Sequence, residues 1–221
     1  MTAAALVAAL VATGVVAARA SAHQSKCERF EAASVKRGAM VTGSGERVVV
    51  IGDSWSAGLG LDRPVGSWPS RLPGRIHVAG FSGTGFSEHA SPCGRVSFAD
   101  RAPAALKGGA DLVVVEGGLN DYDRSRAEIK AGFARVMRAT ASYRTVVVGP
   151  ASAPARAAKV PRVDRLLAHL SKKYGVAYVS TADIELTYLD DRLHPTPAGH
   201  RLFGDTVAAR IGLLDSPEYV A

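Results

Sequence analysis

A chain of 221 residues, 47% apolar and 21% charged, holds enough material for one α/β domain with a sizeable core and is too hydrophobic to be disordered. Its net charge of +7 comes from arginines and lysines scattered along the sequence without a dense basic run. That distribution describes a solvated surface and argues against nucleic-acid binding.

Residues 3–18 are Ala, Leu and Val broken only by Thr13 and Gly14, a run short for a membrane span. Ala18-Arg19-Ala20 and Ala20-Ser21-Ala22 follow it, both suited to signal-peptidase cleavage, although the usual basic start is missing. The pattern predicts a signal peptide over 1–22 and a secreted, extracytoplasmic protein; an uncleaved anchor helix is the alternative. No cysteine closes the apolar run, which argues against a lipid anchor.

The two cysteines, Cys27 and Cys93, are too few for a four-ligand zinc site and lack C-x-x-C spacing. In an exported protein they read as one disulfide. Residues 23–46 are polar and read as an irregular mature N-terminal arm, leaving 47–221 as the single domain.

Val48-Val-Val-Ile51 is an unbroken β-branched run, as in a strand covered on both faces, and predicts a strand over 47–51. It runs into Gly52-Asp53-Ser54-Trp55-Ser56, a glycine-led turn carrying a serine. The segment 58–74 carries Trp68-Pro-Ser-Arg-Leu72, which predicts one short helix with Pro69 in its first turn. A second strand over 76–79 leads to the loop Gly80-Phe-Ser-Gly83-Thr-Gly85, and a short helix over 99–107 is ended by Gly108-Gly109. A third strand over 111–116 ends in Gly117-Gly-Leu-Asn120-Asp121. Ser125-Arg-Ala-Glu128 has the capping-box pattern, and Ile129, Phe133, Val136 and Met137 mark the inner face of the helix it opens. A fourth strand over 145–148 precedes a Pro- and Ala-rich loop over 149–158. Val163, Leu166, Leu167 and Leu170 then mark an amphipathic helix closed by Lys172, Lys173 and Gly175. After a fifth strand over 176–179, Thr196 and Pro197 cap a last helix running to about residue 211. Five alternations predict an α/β fold with one doubly wound parallel sheet and helices on both faces.

The marked turns all follow strand ends and therefore share one rim of the sheet, where open α/β sheets bind ligands. Ser54 is the candidate nucleophile, a weak one unless a base takes its proton. His194, in Asp191-Arg-Leu-His194-Pro195, is the candidate base, and Asp191 can hold its other ring N–H. Backbone N–H groups of Ser54 and Gly83 and the Asn120 amide are candidate oxyanion donors. Taken singly, Ser54 fits a helix N-cap, Asn120-Asp121 a turn, and His194 a loop residue; their coincidence on one rim is what gives them chemistry. The loop over 80–85 lacks the G-x-G-x-x-G spacing of a dinucleotide site, and His194 and His200, six apart, do not suit a metal pair. Trp55 and Trp68 fit either a pocket lining or the core, His89 a surface position, and the arginines at 124, 126, 135 and 138 a solvated helix face.

These blocks resemble the SGNH hydrolase family in its GDSL subgroup. Gly52-Asp53-Ser54-Trp55-Ser56 is similar to its first block, Gly83 to the second-block glycine, Gly118-Leu-Asn120-Asp121 to the third, and Asp191-Arg-Leu-His194-Pro195 to the last. The resemblance spans 47–210. It implies a flavodoxin-like three-layer α/β/α sandwich on a five-stranded parallel sheet, and ester hydrolysis without cofactor or metal. It also implies Ser54 as nucleophile, His194 as base, Asp191 as its orienter, and Ser54, Gly83 and Asn120 as the oxyanion hole. One departure is Val78, where many members have Asn. The expected protein is a monomeric secreted serine esterase acting on a small-molecule, glycan or lipid ester, with short acyl groups favoured by polar loops around the turns. An acyltransferase using the same acyl-enzyme, and a non-catalytic glycan- or lipid-binding protein, are the rival readings.

Overall fold

The computed structural model describes residues 24–214, and the signal peptide expected over 1–22 lies outside them. Five strands form one parallel sheet in the order β2-β1-β3-β4-β5: β1 Arg47–Gly52, β2 Arg75–Gly80, β3 Leu112–Glu116, β4 Thr145–Val148 and β5 Ala177–Val179. The expected three-layer flavodoxin-like architecture is therefore present. The order reverses between β1 and β3, which places a crevice between their C-terminal ends.

Alternation along β1 divides the core. Val48 and Val50 face a cluster with Trp55, Trp68 and Phe203, whereas Val49 and Ile51 face Phe86, Phe98, Phe133 and Leu167. Both sets are buried, and each such side chain contributes roughly 1.5–3 kcal/mol of transfer free energy. The second cluster is closed by α3 (Phe98–Ala105), α4 (Arg126–Ala139) and α5 (Val160–Tyr174), the first mainly by α6 (Pro197–Leu213). Capping follows the sequence: Ser125 and Glu128 form a reciprocal box at α4, Gly175 ends α5 in the left-handed region, and Thr196 caps α6 with Pro197 in its first turn.

Two segments differ from expectation. The short helix expected at 68–72 is a 3-10 turn, Trp68–Arg71, and a second 3-10 turn, Pro64–Gly66, precedes it. Pro64 opens the first and Pro69 is the second residue of the other, positions where a missing N–H costs nothing. Residues 24–38 form a helix, α1, where an irregular arm was expected. Apart from Ser25 in its first turn, its less exposed positions are Cys27, Phe30, Ser34 and Arg37, spaced three and four apart on one face. Cys27 is bonded to Cys93, as the sequence predicts, and the Phe30 ring packs edge-on against Phe81. At the other end the buried Arg37 donates from Nε to Ser67 Oγ at 3.2 Å, and Ser67 Oγ donates to the Ser56 carbonyl at 3.0 Å. Burial pushes the Arg37 guanidinium down to about 10.

The bridge spans 66 residues, and closing a loop of that length stabilises by about 4 kcal/mol in the chain-entropy model. Denatured, unreduced protein recovered from an oxidising compartment should show no titratable thiol, and the Cys27→Ser, Cys93→Ser double variant should melt well below wild type. Two free thiols, or an unchanged melting temperature, would contradict this role.

Candidate active site

The turn after β1 is shaped by close contacts. A side chain at Gly52 would collide with Ser56 Oγ and Glu116 Oε2, so only glycine lets β1 pass this close to the helix that follows. That helix, α2 (Ser54–Ala57), is capped by Asp53, whose Oδ1 accepts the Trp55 N–H at 2.9 Å. Ser56 Oγ donates to the buried Glu116 carboxyl at 2.7 Å and accepts from Trp68 Nε1 at 3.0 Å, tying α2 to β3. Burial, and then the nearby charge of Asp53, push Glu116 well above the usual carboxylate range. Ser54 is thus fixed from below, with 6% of its surface exposed.

From the opposite end of the chain, the turn over 189–194 brings His194 to it. His194 Nε2 lies 3.0 Å from Ser54 Oγ, and Nδ1 lies 2.5 Å from Asp191 Oδ2. A carboxylate only accepts, so Nδ1 carries the proton and Nε2 is left to accept the serine O–H. Asp191 Oδ1 accepts the N–H groups of Leu193 and His194, both at 2.9 Å, in an Asx-type turn. Burial raises the Asp191 carboxyl, but the hydrogen bonds from His194 and Leu193 outweigh it and hold the group below its ordinary range. Arg192 sits at φ 56° inside the turn, a left-handed conformation costing a side chain roughly 1 kcal/mol or more. Trp55 Nε1 donates to the Leu193 carbonyl at 3.2 Å, and its ring packs on Phe203 and Tyr188. The residue after the serine therefore locks the turn that carries the histidine. Trp55 and Trp68 are both core residues, at 1% and 0% exposure.

Asn120, in a 3-10 turn after β3, is placed on the same rim. Its Nδ2 donates to Asp53 Oδ2 at 3.1 Å and to the Thr84 carbonyl at 2.8 Å, and its Oδ1 accepts from Arg156 Nη1 at 2.7 Å. Two acceptors on one side and a donor on the other fix which end is oxygen. Both amide hydrogens are engaged, so an oxyanion must share or displace one of these acceptors. Gly83, at φ 79°, turns the loop that delivers Thr84, and the Phe30 ring lies beside it. Among the described residues, no carbonyl or side chain takes the N–H of Ser54 or Gly83. The structure thus unites Ser54, His194 and Asp191 directly, and Gly83 with Asn120 through Thr84.

Three residues that the sequence did not single out help build the site. Asp53 is fully buried; burial pushes it up to about 6, against the Trp55 N–H and the charges of His194, Arg156 and Arg101, which pull it down. Its signal lay in view, as an Asp in N-cap position directly before the serine. Arg101, from α3, donates to the Gly52 carbonyl at 2.9 Å, to Thr84 Oγ1 at 3.0 Å and to the Ala79 carbonyl, pinning the two glycine-bearing turns together. Arg156 lies in the loop over 149–158, where nothing in the local sequence marks it. Asp121, buried and pushed up to about 7 by that burial, accepts the Phe86 and Ser87 N–H groups and anchors the loop over 80–98. His200 is buried beside the site; burial, then the charge of His194, push it down to about 4, so it stays neutral. His89 pairs with Glu128 at the surface, at 2.9 Å.

The chain matches the model of the GDSL-like lipase/acylhydrolase family over residues 50–202. No relative matches among the curated proteins. Among solved structures it is similar to a carbohydrate acetylesterase from Sinorhizobium meliloti, with a TM-score of 0.64 at 18% identity, covering 77% of this chain and 100% of that one. An aryl esterase from M. smegmatis aligns with a TM-score of 0.61 at 19% identity, covering 77% of this chain and 100% of that one. A family two carbohydrate esterase from Clostridium thermocellum, in complex with cellohexaose, gives 0.61 at 17%, covering 78% and 65%.

Proposed function

Because this chain belongs to the GDSL-like lipase/acylhydrolase family and is a carboxylic ester hydrolase, we propose that it is an exported serine esterase cleaving short acyl esters through an acyl-enzyme on Ser54. The observation that carries the reading is the unbroken relay from Ser54 Oγ through the His194 ring to Asp191, at 3.0 Å and 2.5 Å. In the first half-reaction His194 Nε2 takes the serine proton as Oγ attacks the ester carbonyl, then returns it to the leaving alcohol. The oxyanion is received by the N–H groups of Ser54 and Gly83 and the Asn120 amide. In the second half-reaction water attacks the acyl-enzyme by the same route and the acid leaves. Asp191 stays ionised and steadies the imidazolium.

The preference for small acyl groups is supported by the surroundings. The loop over 80–98 beside the site is rich in Gly, Ser and polar residues, and its large apolar side chains, Phe81, Phe86 and Phe98, are buried. A shallow site gains little from each added methylene, whereas a buried groove gains about 0.8 kcal/mol per CH₂. Export is supported by the Cys27–Cys93 bridge, and no helix among the described residues is long and apolar enough to cross a membrane. The alcohol side is a polar one, for which the carbohydrate acetylesterase fold likeness offers a first substrate class to try. Purified protein assayed on p-nitrophenyl esters from acetate to palmitate should give its highest kcat/KM between acetate and butyrate. A value that climbs steadily toward palmitate would refute the short-chain reading.

A further inference from the structure

We propose that Arg156 is a positioning residue for Asn120, setting the side-chain amide for the oxyanion; the inference rests on the esterase reading of the site. Arg156 arises from the loop after β4, and that loop is fastened to the catalytic turn by the Ala155 N–H, which donates to the Arg192 carbonyl at 2.9 Å. Its guanidinium lies over the Tyr122 ring, 4.5 Å from the centroid. From there one nitrogen, Nη1, donates both to the Leu119 carbonyl at 2.8 Å and to Asn120 Oδ1 at 2.7 Å. A single planar donor group thereby sets the Asn120 side chain against the backbone just before it.

Two physical consequences follow for the amide. Its plane is held between opposite charges, the guanidinium on Oδ1 and the Asp53 carboxylate on Nδ2, so it neither flips nor swings away from the rim. A positive charge on the carbonyl oxygen also draws electron density from the nitrogen, which makes the N–H a stronger donor to a developing anion. Asn120 enters the reaction with both hydrogens already engaged, by Asp53 and by Thr84. An amide that must share a hydrogen with the oxyanion depends more than a free one on being held in place, and Arg156 is the group that holds its far end. Lysine could donate to both oxygens from its one nitrogen, but its ammonium lacks the planar group that lies over the Tyr122 ring and fixes the donor there.

The test is a double-mutant cycle with p-nitrophenyl acetate as substrate, each variant checked for an unchanged melting temperature. Arg156→Met keeps an unbranched apolar stem beside Tyr122 and removes the donors. It should lower kcat by about tenfold to a hundredfold, part of the 10²–10³ that an oxyanion donor is worth, with KM within about twofold. Arg156→Lys should recover part of that loss. On an Asn120→Ala background the same Arg156→Met change should alter kcat by less than about twofold, because the group it positions is gone. An equal loss on both backgrounds, or a loss confined to KM, would overturn the proposal. So would a near-wild-type rate for Asn120→Ala alone, which would remove Asn120 from the oxyanion hole while leaving the Ser54 relay standing.

Discussion

Replacing Ser54 by alanine should lower kcat/KM for any turned-over ester by on the order of 10⁴-fold or more, since removing the nucleophile of such a relay abolishes the acyl-enzyme route. Stability should move by less than about 1 kcal/mol. The reason is local: Ser54 Oγ has one partner, His194 Nε2, and the cap of α2 is held by Asp53, not by the serine. The imidazole loses one hydrogen bond at a rim where water can replace it. Kinetics and a thermal melt on the same purified preparation decide the matter. A Ser54→Ala enzyme within tenfold of wild type would end the nucleophile assignment, and an enzyme that fails to fold would show that α2 was misunderstood.

The sheet was legible because its central strands carry nothing that water could hold. Val48–Ile51 and the valines of β3 and β4 are buried on both faces, and such runs fit little else than strands of a covered parallel sheet. Helix ends were legible where capping chemistry is local, as at Ser125 and Thr196. The helix over 24–38 was not, and its buried face explains why. That face presents a half-cystine, a phenylalanine, a serine and an arginine, so no apolar stripe exists for periodicity to find. Its packing energy lies in a disulfide, one aromatic contact and a buried guanidinium, all of which need partners 30 to 66 residues away.

The site divides along the same line. Ser54, Asp191 and His194 could be read because their types and block spacing carry the relay chemistry, and the structure brings them within hydrogen-bond reach. The environment that tunes them could not. Asp53 is a capping residue by sequence, and only the approach of Asn120, Arg101 and Arg156 makes it a buried carboxylate beneath the relay. Arg156 is one of many arginines until the fold sets it over Tyr122. Asn120 could be read as a candidate oxyanion donor, but not that its amide is engaged at both ends, since its partners Asp53, Thr84 and Arg156 lie far along the chain.

Asp191→Asn should cut kcat by on the order of 10³-fold while binding of an unreactive substrate analogue survives. The new side-chain oxygen can still accept the N–H groups of Leu193 and His194, which keeps the turn, but an NH₂ group then faces His194 Nδ1. Nδ1 is forced to accept, the ring proton moves to Nε2, and the serine O–H loses its acceptor. The Asp191 side chain is 48% exposed, so water can relieve part of the clash, and the loss should fall short of the roughly 10⁴-fold seen where such an aspartate is buried. The pH dependence carries the same logic with a defined sign. The rate should fall in acid, because an imidazolium cannot take the serine proton. Asp191, held below the ordinary range, stays charged throughout. Asp53, pushed up to about 6, ionises between acid and neutral pH, and its charge favours the imidazolium that forms during attack. Loss of the Asp53 charge therefore adds to the fall toward acid, and the rate should drop more than tenfold from neutral to acid. A profile flat from acid to neutral, or an Asp191→Asn enzyme within tenfold of wild type, would dismiss His194 as the base.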